Sequence, residues 1–217
     1  MIVAIDGPAG AGKSTVAREL ARKKGFQLVD TGAMYRAVAY EAARNDVDLK
    51  NADAVAEIAA GLEFEFRFVD GENIIYCNGR SLQDEIRTAE VSRNASIVSA
   101  HQPVRKVLVD QQRRVGSERS SVLEGRDIGT VVFPDAELKI FITASAQIRA
   151  QRRVEQMHEQ GQQADYDAVL KEISDRDRRD MEREIAPLKK ADGAVEVDSS
   201  SRSVDEIIDE IEELLPC

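Results

Sequence analysis

The sequence is poor in the residues and patterns that define several classes of protein. It has two cysteines and no tryptophan in 217 residues, and Cys77 and Cys217 do not have the spacing of a disulfide framework or a metal site. It shows no long apolar run and no cationic leader, so we expect neither export nor membrane insertion, and we expect a cytoplasmic location. The net charge of −10 disfavours a long nucleic acid as partner, because its phosphates would be repelled.

What the chain does contain is typical of an ordinary globular protein. Hydrophobic residues make up 42% of it and charged residues 32%. A chain of this length can bury most of its apolar surface, and we expect one large domain or a core with an insert. We find no internal repeat and no low-complexity linker.

The first fourteen residues carry the strongest local signal. An apolar, β-branched run over residues 2–5 predicts a strand buried on both faces of a parallel sheet. The motif Gly-x-x-x-x-Gly-Lys-Ser follows, ends at Ser14, and leads into a helical pattern over residues 15–24. Strand, glycine-rich loop and helix in this order are the context of a phosphate-binding P-loop. The alternative, a glycine-rich turn with a chance lysine, does not require that context.

The residue types of this loop suit polyphosphate chemistry. Glycines allow a tight turn whose backbone N–H groups point inward, and they leave room for a ligand to approach the backbone. The N-terminus of the following helix adds partial positive charge. The sequence therefore predicts that Lys13 reaches the β- and γ-phosphates of a nucleotide and that the Ser14 hydroxyl binds Mg²⁺.

Further apolar runs predict the rest of an α/β architecture. Together with the first strand, residues 27–29, 121–124, 138–142 and 194–197 predict a five-stranded parallel sheet, with helices in the stretches between them. Helical spacing is visible over residues 33–44, 85–100, 103–115, 146–160, 166–184 and 203–215.

The α/β rhythm is interrupted between the second and third predicted core strands. From Leu62 to Phe68, apolar and charged residues alternate with period two, and a turn at residues 70–71 leads into a second arm. A further turn at residues 78–79 leads to a possible third strand. We expect a small antiparallel insert over residues 62–83, and the alternative is a bulged extension of the main sheet.

One predicted helix has three arginines on a single face. Arg149, Arg152 and Arg153 are spaced three and four residues apart. Three like charges repel one another unless an anion lies between them, and a polyphosphate would supply one. The alternative is a solvated helix face.

A second charged pattern lies on the next predicted helix. Arg176, Asp180 and Arg183 have the spacing of one helix face. Local ion pairs on a solvated face explain this pattern equally well.

Polar clusters follow two of the predicted core strands. Asp-Thr-Gly occupies residues 30–32 and Gly-Arg-Asp occupies residues 125–127. In parallel α/β sheets ligands bind beyond the carboxyl ends of strands, so both clusters are candidate site segments. Turn formation and helix capping are the alternative explanation.

The chain as a whole resembles the bacterial cytidylate kinases, which are P-loop nucleoside monophosphate kinases. The segments that carry the resemblance are residues 5–8 leading into the P-loop, and residues 30–36, 85–88, 125–136 and 176–188. The segment 125–136 is highly specific, whereas the P-loop alone is not.

The resemblance implies a P-loop kinase fold of class α/β, with a five-stranded parallel sheet flanked by helices. Residues 1–61 and 84–217 would form the core, including a short helical lid at about 149–165. Residues 62–83 would form the core of an antiparallel monophosphate-binding insert.

The implied activity is transfer of the γ-phosphoryl group of ATP to CMP or dCMP. The transfer would depend on Mg²⁺ and proceed in line, without a phosphoenzyme, and the family is expected to be monomeric. Two alternatives stay open: a P-loop kinase for another small phosphate acceptor, and a nucleotide-sensing protein without turnover.

The resemblance also implies roles for individual residues. The ATP site would comprise Gly7, Pro8, Ala9, Gly10, Ala11, Gly12, Lys13, Ser14, Thr15, Arg149 and Arg153. The CMP site would comprise Thr31, Tyr35, Arg36, Ser96, Arg105, Arg126, Asp127, Arg176, Asp180 and Arg183. The catalytic set would comprise Lys13, Arg126, Arg149, Arg153 and Arg183, with Ser14 as metal ligand.

Within the CMP site the resemblance assigns separate residues to the phosphate, the sugar and the base of the nucleotide. Arg36, Arg126 and Arg183 would hold the monophosphate, Arg176 and Asp180 the sugar, and Ser96, Arg105 and Asp127 the cytosine. A carboxylate can accept from the cytosine N4 amino group and a guanidinium can donate to N3 or O2, whereas uracil reverses the hydrogen-bonding pattern at N3 and position 4.

Three positions depart from the family pattern. Ser14 stands where many monophosphate kinases have Gly, and Thr31 replaces a common Ser while keeping the hydroxyl. Glu124 stands where many relatives have Asp, and its role stays open.

Overall fold

A computed structural model describes residues 1–159 and 161–216, so Gln160, at the predicted end of one helix, and Cys217 lie outside the described residues. The strands are β1 (Ile2–Asp6), β2 (Gln27–Asp30), β3 (Phe64–Val69), β4 (Glu72–Cys77), β5 (Arg80–Ser81), β6 (Ser121–Gly125), β7 (Leu138–Thr143) and β8 (Val195–Asp198). The helices are α1 (Lys13–Lys24), α2 (Thr31–Arg44), α3 (Ala52–Ala60), α4 (Ala89–Val98), α5 (Gln102–Gly116), α6 (Ala146–Glu159), α7 (Tyr166–Glu182) and α8 (Val204–Leu214). A π-helical turn covers Ile128–Val132.

The strands form two separate sheets. The larger sheet has five strands in the order β2-β6-β1-β7-β8, and the smaller has three in the order β3-β4-β5. The pairings β2 with β6, β1 with β7 and β7 with β8 are parallel, whereas those of the small sheet are antiparallel. The predicted α/β class and five-stranded sheet are therefore confirmed. The alternative of a bulged extension is wrong, because β3 to β5 form a sheet of their own.

By their internal contacts the residues divide into two units. The first comprises Met1–Ile2 and Ala21–Glu124, and the second comprises Val3–Leu20 and the described residues from Gly125 onward. None of the described helices combines the length and the apolar character needed to cross a membrane.

The first unit contains the small sheet and the helices α2 to α5, of which α2, α3 and α4 begin with a side-chain cap. Asp30 caps α2, because its Oδ1 accepts from the backbone N–H of Ala33 at 2.9 Å. Asn51 caps α3 in the same way. This nine-residue helix was not predicted from the sequence, since it is short and little longer than two turns.

The helix predicted from residue 85 begins later than expected. Thr88 has extended backbone angles and its Oγ1 accepts from the N–H of Val91 at 3.2 Å. Thr88 is therefore the N-cap residue, after which the helix begins. Residues 85–88 therefore form an irregular segment before α4.

The second unit contains the P-loop and the long charged helices. Buried apolar residues hold α6 and α7 together; they are Ala150, Val154, Val169 and Ile173. Helix α8 buries Ile207, Ile208 and Ile211 on one face. It starts with a reciprocal capping box, in which Ser203 Oγ accepts from Glu206 N–H and the Glu206 carboxylate accepts from Ser203 N–H.

The capping box predicts a measurable contribution to stability. We expect Ser203→Ala to lower the free energy of unfolding by about 1 kcal/mol, because the first turn of α8 loses a side-chain acceptor. Urea denaturation measures it, with the exposed Ser201 changed to Ala as the control. Equal unfolding free energies for the two variants would contradict a stabilising role for the box.

Candidate functional site

The P-loop has the backbone that its glycines predict. Gly7, Gly10 and Gly12 have φ values of +146°, +76° and +90°, a region that other residues seldom adopt. A Cβ at Gly7 would lie 1.9 Å from the carbonyl oxygen of Ile142, so no other residue fits there. Gly7 is therefore required by the close approach of the backbone of β7, and the positive φ values of the three glycines set the course of the loop.

Lys13 lies across this loop. Its side chain is buried and Nζ donates to the carbonyl oxygen of Pro8 at 2.7 Å. The amine is thus fixed beside the backbone N–H groups at the start of α1, where partial positive charge accumulates. Ser14 and Thr15 are exposed at the same helix terminus.

Arg149 is held against the P-loop from α6. Its Nη1 donates to the carbonyl of Ala9 at 3.1 Å, its Nε donates to the carbonyl of Ala144 at 2.9 Å, and Nη2 pairs with Asp177 at 2.6 Å. A Cβ at Gly10 would lie 3.3 Å from the Arg149 Cβ. The side chain is only 5% exposed, so Arg149 is a buried, fully positioned cation.

The other two arginines of this face differ from Arg149 and from each other. Arg152 donates to the hydroxyl and carbonyl oxygens of Ser199 at 3.1 and 2.6 Å, and the Ser199 hydroxyl donates to the Ala11 carbonyl at 2.8 Å. Arg153 is exposed and donates to Gln156. Within the protein, Arg149 therefore has a carboxylate partner and Arg152 has neutral oxygen acceptors, whereas the role of a polyphosphate on this face stays a prediction.

Two further arginines of the second unit are paired with carboxylates. Arg126 Nε donates to Asp180 Oδ2 at 3.0 Å. Arg183 Nη2 lies 3.7 Å from Asp127 Oδ1, an ion pair without hydrogen-bond distance, and its Nε donates to the carbonyl of Ala186 at 2.6 Å. All four side chains of these ion pairs are largely buried. Guanidinium groups fixed in this way are preorganised for an anion.

Arg183 does not lie on the helix face that the spacing suggested. Helix α7 ends at Glu182, and Arg183 has φ −60° and ψ 137°, which is an extended conformation. Its guanidinium reaches Asp127 from the segment after the helix. Arg176, one and a half turns before the end of α7, is half-buried.

A buried carboxylate binds the backbone beside Asp127. The two oxygens of Asp6, at the end of β1, accept from the N–H groups of Ile128 and Gly129 at 2.8 and 2.7 Å. Burial raises the pKa of Asp6 to about 6, while the two N–H donors act in the opposite direction. Asp127 raises this pKa slightly and Lys13 lowers it.

In the first unit, a polar cluster surrounds the start of α2. Asp30 Oδ2 pairs with Arg36 Nη2 at 2.9 Å, and Thr31 Oγ1 donates to the carbonyl of Glu124 at 2.7 Å. A Cβ at Gly32 would lie 3.1 Å from both Arg36 Nη1 and Asp30 Oδ1. A larger residue at this position would therefore make the Arg36 and Asp30 side-chain ends shift by a few tenths of an ångström.

Arg36 points into a cleft that contains an unpartnered donor. The Nε atom of Arg36 is buried and has no hydrogen-bond partner, which is unusual for a guanidinium. The cleft is small, with a cavity volume of about 30 Å³, and it is partly open to solvent. It is lined by Asp30, Ala33, Arg36, Phe66, Asn73, Ile75, Leu82, Gln83, Ile86 and Arg87.

The remaining predicted residues of the first unit lie on α2, α4 and α5. Arg105 is 4% exposed, lies 5.8 Å from the centroid of the Tyr35 ring, and donates weakly to the Ser99 carbonyl. This separation is near the outer limit of a cation–π contact. Ser96 is half-buried on α4.

The structure brings together residues that sequence reasoning connected and adds several that it missed. Asp6, Asp177 and Ser199 were not predicted as site residues, although each holds a predicted site segment. Their contacts join positions far apart in the sequence. The one local signal was the charge of Asp6 at the end of an otherwise apolar strand, a position that is buried only with a partner.

Comparison with known proteins agrees with this geometry. The model of the cytidylate kinase family matches residues 3–216. The chain is 46% identical to a cytidylate kinase of Oceanobacillus iheyensis over 96% of this chain and 91% of that protein. It is 44% identical to one of Bacillus velezensis, over 98% and 95% of the two chains.

One solved structure shares the fold at low sequence identity. It is an uncharacterized protein from Eubacterium ventriosum, with a TM-score of 0.51, 14% identity, and coverage of 98% of this chain and 96% of that one. The likeness concerns the fold alone. On the family match and the full-length identities, the chain belongs to the cytidylate kinase family.

Proposed function

We propose that this protein transfers the γ-phosphoryl group of ATP to CMP or dCMP, giving ADP and CDP or dCDP. The observation that carries the proposal is a set of arginines outside the P-loop that are at least half-buried and held by carboxylates, in addition to a complete P-loop. A protein that only bound or hydrolysed ATP would need the loop, but it would not need Arg36, Arg126 and Arg183, each paired with a carboxylate. A second phosphate-bearing ligand explains them.

The ATP site is proposed on the P-loop and α6. The backbone N–H groups of the loop and the Lys13 amine bind the phosphates. The residues assigned to ATP are Gly7, Pro8, Ala9, Gly10, Ala11, Gly12, Lys13, Ser14, Thr15, Arg149 and Arg153. Arg149 acts beside the loop that it already contacts, whereas the exposed Arg153 is free to reorient toward the phosphates.

A divalent ion fits the groups present. No cluster of three or more His, Cys, Asp or Glu side chains that could hold a metal occurs in the part of the chain that the structure describes. Ser14 would supply one hydroxyl, and phosphate oxygens and waters would complete the shell of an ion that usually keeps several waters. When bound with ATP, Mg²⁺ supplies positive charge to the β- and γ-phosphate oxygens.

The CMP site is proposed on three sets of residues. The phosphate is assigned to Arg36, Arg126 and Arg183, the sugar to Arg176 and Asp180, and the cytosine to Ser96, Arg105 and Asp127. Thr31 and Tyr35 complete the assignment. The Tyr35 ring lies 5.8 Å from the guanidinium carbon of Arg105, a proposed base reader.

Discrimination against uracil follows from the charges of these readers. Asp127 is acceptor-only and Arg105 donor-only when ionised, so cytosine satisfies both. Uracil presents an acceptor to the carboxylate and an N–H to the guanidinium. A good bidentate base contact discriminates by about 1–3 kcal/mol, and buried groups left unpaired add to that.

Catalysis in this proposal is positioning and charge neutralisation. The transferred group passes through a loose transition state, so the protein supplies fixed cations and holds the two reacting oxygens in line. Lys13, Arg126, Arg149, Arg153 and Arg183 are assigned this role. No side chain is assigned as a phosphorylated intermediate.

The remaining assignments concern parts that exclude water. We assign residues 1–61 and 84–217 to a P-loop core, residues 62–83 to a monophosphate-binding insert, and residues of about 149–165 to a short lid, apart from Gln160, which the structure does not describe. Closure of such elements prevents hydrolysis of ATP. A monomeric protein acting in the cytoplasm completes the proposal.

An acceptor panel tests the function. We expect CMP or dCMP to give the highest kcat/KM with Mg-ATP, and UMP and AMP to be poor acceptors, as the reader chemistry requires. Production of each nucleoside diphosphate is measured directly by chromatography. Preference for UMP or AMP would overturn the cytosine assignment, and tight ATP binding without any turnover would favour a nucleotide sensor.

The P-loop lysine gives a second test. We expect Lys13→Ala to lower kcat by about 100- to 1,000-fold, the usual loss when one preorganised donor is removed. The exposed Lys24, at the other end of the same helix, changed to Ala is the control. Circular dichroism checks that both variants fold, and a Lys13→Ala enzyme with near-normal kcat would remove Lys13 from the catalytic set.

A further inference from the structure

The strand that leads into the P-loop also carries a carboxylate that binds a different part of the chain. Asp6 is 3% exposed and directly precedes Gly7, the first residue of the P-loop motif. Its two oxygens accept from two successive backbone N–H groups, those of Ile128 and Gly129. Asp6 makes neither of these bonds within its own strand, so its side chain serves the segment after β6.

That segment is the one on which Asp127 and Arg126 stand. Residues 128–132 form a π-helical turn, and the Asp127 carbonyl accepts from both Val131 and Val132 at 2.9 and 3.2 Å. The first N–H groups of a helical turn have no partner within it. Asp6 supplies the acceptor for two of them, so the turn is capped by a residue more than a hundred positions away.

We propose that Asp6 is a positioning residue for the acceptor nucleotide, which it serves by fixing the backbone from which Arg126 and Asp127 project. This rests on the proposed function, in which those two residues contact CMP. The residues next to the capped N–H groups are the first to move if the cap is lost. A shift of about 1 Å in a positioning group can reduce rates about a hundredfold.

The charge of Asp6 matters to the cap. An ionised carboxylate offers acceptors to both N–H groups, whereas a protonated carboxyl or an amide places a donor against one of them. Burial raises the pKa of Asp6 to about 6, and the charged groups that act on it are Asp127, which raises it, and Lys13, which lowers it. The cap therefore weakens when the pH falls below about 6.

The variant Asp6→Asn tests the inference. We expect KM for CMP to rise about tenfold or more, in line with the loss of a hydrogen bond to a charged acceptor. The preference for CMP over UMP should fall, and KM for ATP should change less than about twofold, since the P-loop backbone is held by its own glycines and Lys13. Parallel rises in both KM values would overturn the inference.

A matched control separates positioning from general destabilisation. Ile5→Val removes one buried methylene from the same strand and typically costs about 0.5–1.5 kcal/mol. We expect it to leave KM for CMP and base preference unchanged. If it alters them as much as Asp6→Asn does, the carboxylate has no specific role.

The pH dependence provides a readout that a purely structural role would not give. The pKa of Asp6 in the folded protein, about 6, lies above its unfolded value of 3.8. Between these pH values the folded protein binds a proton that the unfolded chain does not, so the contribution of Asp6 to the free energy of unfolding becomes more favourable as the pH falls through 6, even though the cap loses an acceptor. The kinetic advantage of wild type over Asp6→Asn should shrink over the same range. A kinetic advantage of wild type over Asp6→Asn that rises together with the free energy of unfolding as the pH falls would contradict the proposal.

The CMP phosphate also titrates near pH 6, so its change of charge affects the kinetics over the same pH range. Comparing wild type with Asp6→Asn at each pH cancels this effect. If Asp6→Asn fails to fold, the wild-type ratio of kcat/KM for CMP over UMP carries the test, because both acceptors bear the same phosphate. We expect that ratio to fall below about pH 6, and a constant ratio would overturn the inference.

Asp127→Ala distinguishes this inference from the proposed function. If Asp127→Ala leaves KM for CMP and base preference unchanged, the assignment of this turn to CMP fails. If Asp127→Ala changes them and Asp6→Asn does not, the role of Asp6 alone is rejected.

Discussion

The pairing of arginines with carboxylates is the interaction on which the site depends. The protein has a net charge of −10 and must bring two phosphate-bearing molecules together. It therefore needs local cations whose mutual repulsion is reduced and whose positions are fixed. The structure pairs four of them: Arg36 with Asp30, Arg126 with Asp180, Arg183 with Asp127, and Arg149 with Asp177. Partial burial makes these pairs matter more than surface ion pairs, which contribute little. The carboxylates set the direction of each guanidinium, and in the proposed function the nucleotide phosphates would complete its hydrogen bonds.

Backbone and side chains divide the recognition of the two nucleotides. The P-loop presents N–H groups, which read a polyphosphate by shape and charge, and Lys13 and Arg149 brace it through the carbonyls of Pro8 and Ala9. The proposed acceptor site uses side chains instead, whose fixed donors and acceptors can match the edge of one base and mismatch that of another. In the proposal the residues assigned to CMP accordingly lie outside the P-loop.

Features that depend on short sequence patterns could be predicted from the sequence, whereas contacts between distant residues could not. The strands, the P-loop and the small antiparallel sheet follow from short patterns, and they were predicted correctly. Helix α3 was missed because it is short, and the start of α4 was placed too early because Thr88 caps the helix. The partners of Arg149 and the bonds of Asp6 could not be predicted, since they join residues far apart in the chain that only the tertiary structure brings within 3 Å.

The most direct test of carboxylate-held arginines is a double-mutant cycle on Asp30 and Arg36, read out as the affinity for CMP by titration calorimetry. Asp30→Asn keeps an oxygen that can cap α2 while removing the charge that faces Arg36. We predict that Asp30→Asn weakens CMP binding in the wild-type background and has little further effect in Arg36→Ala, with a coupling energy of about 0.5–3 kcal/mol. An equal loss of affinity in both backgrounds would contradict the account.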